Sequence, residues 1–134
     1  MKIFLSIFTT ILLLTACGGA QKDADKNYEN SKESIEQIEQ KNPIKFITVD
    51  GDKKKNLIGQ TVVNADVHNN AKMVTYKDVD VKISFYSKTG AVLEEDHETV
   101  YENIAPGTSV HFKSKFFTPK STDSISFKVV EAKF

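Results

Sequence analysis

The chain has 134 residues, 40% of them hydrophobic, with 18 lysines against 18 acids and no arginine. That suits one domain with its own core and is too little for two ordinary ones. The balanced charge, with lysine as the sole strong cation, lacks the basic field and bidentate arginine contacts on which nucleic-acid recognition leans, and the single Cys excludes an intramolecular disulfide or a Cys-rich zinc site.

Residues 1–16 are expected to form a cleaved signal peptide. Lys2 supplies the positive start, and Ile3 to Leu14 is apolar apart from Ser6, Thr9 and Thr10. At about 1.5 Å per residue this run falls short of the roughly 30 Å hydrocarbon core, so it reads as a secretory segment and not as a membrane span. The run ends in Leu14-Thr15-Ala16-Cys17, which resembles the lipobox of bacterial lipoproteins. The resemblance implies cleavage before Cys17 and acylation of its thiol by palmitate-type chains, which would hold the protein to a membrane. In a Gram-negative cell, Gly18 in place of a retaining Asp implies the outer membrane, on its periplasmic or surface face. Otherwise the resemblance implies the outer face of the cell membrane. Gln21-Lys22-Asp23-Ala24-Asp25 is somewhat similar to surface-export signals of Bacteroidetes lipoproteins, but the preferred reading is an ordinary solvated tether.

Residues 17–43 read as a lipidated, flexible stalk, with four lysines, six acids and few apolar residues. Ser31 to Lys41 is rich in Glu, Gln and Lys and predicts a short helix capped by Ser31 and stopped by Pro43. Ile35 and Ile38 share one face of that helix, a thin stripe that a partner could use.

From Ile44 the hydrophobic period changes to two, marking a domain over 44–134. Strands are predicted at Ile44–Val49, around Val63-Ala65-Val67, at Val79–Phe85, at Ala91–Tyr101, around Val110-Phe112-Phe116 and around Ile125-Phe127-Val129. Turns are predicted at Asp50-Gly51-Asp52, Ser87-Lys88-Thr89-Gly90 and Ala105-Pro106-Gly107-Thr108. No helical segment separates the strands, so an all-β, antiparallel sandwich of six to seven strands is the expected fold.

Three stretches carry a family resemblance: Gly59-Gln60-Thr61-Val62-Val63-Asn64, Val79 to Tyr86 followed by Gly90, and Ile104 to Phe112. Together they make Leu57 to the C-terminus similar to the FxLYD-type domains of bacterial lipoproteins. The family signature falls on Ile83-Ser84-Phe85-Tyr86-Ser87, where Tyr86 matches, Ile83 and Phe85 keep apolar character and Ser87 replaces the acid. The resemblance implies an immunoglobulin-like sandwich in an envelope setting, and it brings no catalytic residue.

The chemistry-bearing residues are sparse. There is no Gly-x-Ser-x-Gly nucleophile elbow and no glycine-rich phosphate loop, and no cofactor is implied. Glu94-Glu95-Asp96-His97-Glu98 is the best metal candidate: alternation places Glu94, Asp96 and Glu98 on one face and Glu95 with His97 on the other. The same residues read as a solvated strand or loop whose charges discourage edge-to-edge aggregation. His68 and His111 fall on outward faces and would meet if their strands were neighbours. Lys53-Lys54-Lys55 reads as a solvated loop tip, with contact to lipid head groups or an anionic glycan as the alternative. Tyr76, Tyr86 and Tyr101 would form a binding platform if all reached the surface. The expected function is a non-enzymatic, lipid-anchored module binding an envelope protein or surface component, with metal or solute binding as the alternative.

Overall fold

The computed structural model describes residues 33–134. The expected signal peptide, Cys17 and the stalk up to residue 32 lie outside the described residues. The described chain contains a helix α1 (Ile35–Lys41), a 3-10 turn (Pro43–Phe46) and six strands: β1 (Ile47–Lys55), β2 (Thr61–Asn69), β3 (Lys77–Tyr86), β4 (Val92–Val100), β5 (Ser109–Phe116) and β6 (Ser124–Lys133).

Every strand pair is antiparallel, giving one sheet in the order β1-β2-β5 and a second in the order β4-β3-β6. Labelled A, B, C, C′, E and F in chain order, these are an A-B-E sheet facing a C′-C-F sheet, the arrangement of an immunoglobulin-type sandwich.

The central strand of each sheet has the strictest alternation and supplies the core. Val63, Ala65 and Val67 of β2 meet Val79, Val81, Ile83 and Phe85 of β3, all fully buried. Burying each of the valine, isoleucine and phenylalanine side chains among them contributes about 1.5–3 kcal/mol. Phe85 joins the sheets directly, its ring 5.5 Å from that of Phe116 on β5.

Two irregularities adjust the β3–β6 ladder. Asp80 and Val81, adjacent on β3, pair with Glu131 and Val129, so Val130 is an extra residue on β6. That shift explains why Val129 and Ala132, three apart, are both buried. Asp78, beside the second irregularity, takes φ 46.

The helix begins later than the sequence suggests. Its N-cap is Ser34 and not Ser31: the Ser34 hydroxyl accepts from the Gln37 N–H at 3.2 Å, and the Gln37 side chain accepts from the Ser34 N–H at 3.0 Å. Pro43 ends the helix and opens the 3-10 turn, which occupies the start of the stretch expected as the first strand.

The predicted turn at Asp50-Gly51-Asp52 does not form. These residues lie mid-strand in β1, opposite Asp66, Ala65 and Asn64, and Lys53 to Lys55 continue the same ladder to Thr61. Gly51 is there because β2 passes too close for a side chain: a Cβ would lie 2.6 Å from that of Ala65. The true hairpin turn is Asn56 to Gly59, with Gly59 at φ 82. The turns at Gly90 (φ 83) and Gly107 (φ 73) form where predicted.

Candidate functional site

The acidic stretch 94–98 lies wholly in β4, an edge strand of its sheet. Glu94, Asp96 and Glu98 pair with Phe85, Ile83 and Val81, which places them on the inner face at the margin of the core, where they are half-buried. Glu98 reaches the opposite sheet, its Oε2 accepting from the Ser114 hydroxyl of β5 at 2.6 Å.

Glu95 and His97 lie on the outer face, as alternation requires, and each is already engaged. Glu95 accepts from Lys82 Nζ and Ser84 Oγ, both at 3.0 Å. The Lys82 contact first, and the Ser84 hydroxyl next, hold its carboxyl below the ordinary value. His97 Nδ1 lies 3.0 Å from Asp80 Oδ2.

The strands bearing His68 and His111 are neighbours, but the register gives each ring its own partner. His68 Nδ1 lies 2.8 Å from Ser109 Oγ, and His111 Nδ1 lies 3.0 Å from Asp66 Oδ1. The His68–Ser109 pair lies on the exposed outer face of a sheet, and among the described hydrogen bonds no carboxylate orients the ring, so it lacks the third member of a nucleophilic triad. Among the described residues, no group of three or more His, Cys, Asp or Glu is placed to hold a metal ion.

The tyrosines do not form a platform. Tyr76 is fully buried, whereas Tyr101 is exposed and Tyr86 half-buried with its hydroxyl on Ser126. Burial, and secondarily the Glu39 charge, push the Tyr76 hydroxyl up to about 12.

A polar junction missing from the sequence-based expectations closes the helix end of the sandwich. Glu39, which composition assigns to a solvated stalk, is only 2% exposed. Its carboxylate accepts the backbone N–H groups of Lys72 (2.7 Å), Met73 (3.0 Å) and Val74 (3.1 Å), and its carbonyl accepts the Tyr76 hydroxyl at 2.9 Å. Burial, the largest single influence, raises the Glu39 carboxyl; the three N–H groups and the Lys72 charge together outweigh it and set it below the usual value. Beside it, buried Asn69 donates to the carbonyls of Val74 and Ile104 (both 2.8 Å) and accepts from the Ala71 N–H at 2.8 Å. These two side chains fasten α1, the β2–β3 connection and the β4–β5 connection together. The compact unit therefore starts at Glu33, eleven residues before Ile44. The available signal was helical spacing: Glu39 is four residues from Ile35 and shares its face.

Two grooves flank this junction. One, of about 220 Å³, lies between α1 and the 3-10 turn, lined by Ile35, Ile38, Phe46, Asn70 and Lys72. The other, of about 400 Å³, lies between the edges of β1 and β6, lined chiefly by Ile44, Ile47, Val49, Phe127 and Val129. Among the described residues, no helix is long and apolar enough to cross a membrane.

No protein-family model and no curated protein matches the chain. Among solved structures, it is similar to an X-ray structure described as Northeast Structural Genomics Consortium target SoR45. That likeness has a TM-score of 0.41 and 11% identity, over 66% of this chain and 85% of that one.

Proposed function

We propose that the chain is a lipid-anchored cell-envelope protein of the FxLYD-type lipoprotein class, and that its sandwich is a non-enzymatic binding module. The observation that carries this reading is the place of the only cysteine, Cys17, directly after Leu14-Thr15-Ala16 and a short apolar run. Two further features support it. A polar segment separates Cys17 from a compact unit that starts at Glu33, as a tethered module requires. The open edge strand β5 offers backbone groups to which a partner's strand can add.

The partner is an envelope protein or another component of the cell surface. The test is cell fractionation of wild type and Cys17→Ala. The expected result is that wild type sediments with membranes and that the variant loses its acyl chains and moves to the soluble fraction. Equal sedimentation of both would refute the anchor. In vivo crosslinking of the anchored protein is expected to recover one reproducible neighbour. A wild type without any would refute the binding module.

A further inference from the structure

The end of the sandwich opposite α1 gathers three connections: the β1–β2 turn, the β3–β4 turn and the β5–β6 loop. Segments 53–60, 87–91 and 115–123, which form it, carry six lysines and one acid, Asp123. Lys54, Lys55, Lys88, Lys115 and Lys120 are exposed, and none of them belongs to an ion pair of the described residues. The near-zero charge of the whole chain thus conceals a strongly positive pole.

Apolar side chains project from the same pole. Leu57 is 105% exposed, Ile58 74% and Phe117 77%. They lie close in register, since Thr61 pairs with Phe116 and the next residues outward are Gln60 and Phe117. The β1–β2 turn pairs the N–H groups of Asn56, Ile58, Gly59 and Gln60 within itself. Asn56 Oδ1 accepts from the N–H groups of Ile58 (3.2 Å) and Gln60 (2.9 Å), and the Asn56 carbonyl accepts from the Gly59 N–H at 3.2 Å. What the apex then offers its surroundings is Leu57 and Ile58, where a turn ordinarily carries polar residues.

We propose that this pole docks on an anionic lipid bilayer. Leu57, Ile58 and Phe117 enter the boundary between head groups and acyl chains, and the surrounding lysines lie against the lipid phosphates. Charge complementarity favours an anionic surface. The shape favours a bilayer over other anions. The apolar groups form a convex apex, which a soft bilayer accepts without a matching pocket, as the apolar face of an interfacial anchor does. A soluble acidic polymer would leave Leu57 and Ile58 in water. A nucleic acid would be met by arginine and a stacking platform, and the chain has no arginine. The contact is separate from any acyl anchor on Cys17, because it is made by the sandwich itself.

The chain contains no tryptophan, so a single indole reports one position. Full-length Leu57→Trp and, as a control at the other end of the sandwich, Tyr101→Trp would be mixed with vesicles of phosphatidylglycerol or phosphatidylcholine carrying brominated acyl chains. The expected result is a blue shift and quenching of the Leu57→Trp indole by phosphatidylglycerol, at lipid concentrations at least about tenfold lower than with phosphatidylcholine. The Tyr101→Trp indole should stay unquenched. Adding Lys54→Glu, Lys55→Glu and Lys120→Glu to Leu57→Trp should abolish the quenching while the β circular-dichroism spectrum is retained. An unquenched Leu57→Trp indole on protein that co-sediments with the vesicles would overturn the proposal even where the N-terminus holds the membrane. So would equal quenching by both lipids, or a response to soluble poly-glutamate and not to vesicles.

Discussion

Glu39 is held by three successive backbone N–H groups of residues more than thirty positions away. Its charged form is the one those donors favour, and its carboxyl accordingly sits below the usual 4.5. A carboxylate lowered in the folded state contributes stability that is fully present above its unfolded value and is lost as pH falls through its folded value. The melting temperature of the wild type should therefore decline as pH drops below about 4.5, with a component that Glu39→Gln lacks. At neutral pH Glu39→Gln should melt lower than wild type, because an amide nitrogen would face an N–H donor. Thermal melts of both proteins across the acid range check this. Parallel pH curves for the two would show that Glu39 contributes nothing. Helical spacing put Glu39 on the face of Ile35, but its partners were not legible in advance, because composition gives the charge of a side chain and says nothing of donors that a distant loop brings to it. The same holds for Asn69, whose alternation is that of any half-polar strand.

At the scale of elements, legibility followed the strength of the alternation. β3 and β2 are central, buried on one face and patterned accordingly, and both lie where the periodicity puts them. β1 is an edge strand with few inward side chains, chiefly Ile47 and Val49, and its second half is Asp50-Gly51-Asp52 followed by three lysines. By composition that stretch is a turn, yet cross-strand hydrogen bonds to β2 keep it extended through Lys55. Gly51 illustrates the ambiguity, since glycine serves both a turn and a close approach of two backbones, and only the register decides between them. Gly51→Ala should cost about 1–3 kcal/mol through overpacking against Ala65 and the Asn64 carbonyl. Urea denaturation measures it. A midpoint unchanged from wild type would mean that β1 is not held this close to β2.

The whole molecule must also manage its open edges, and the acidic row bears on that. Alternation alone placed Glu94, Asp96 and Glu98 on one face. It could not reveal that this face is the inner one, or that β4 is an edge strand, because both depend on pairing with β3. Charged side chains at inward positions of an edge strand prevent another chain from extending the sheet, because the addition would bury them without partners. β4 reinforces this with an irregularity near its start, where Phe85 pairs with Glu94 and Tyr86 with Val92, leaving Leu93 unpaired in the register. The edge at β4 is thus kept from unselective pairing, while Ser114 on the facing sheet satisfies Glu98. Replacing all three acids together, Glu94→Val, Asp96→Val and Glu98→Val, should convert the strand into an apolar template. At equal protein concentration the weight-average mass in sedimentation velocity should then rise by at least about twofold over wild type. The outer-face change Glu95→Val on the same strand should leave the mass unaltered, because it does not alter what a docking strand would bury. If the inner triple variant sediments as the wild type does, the acids do not protect the edge.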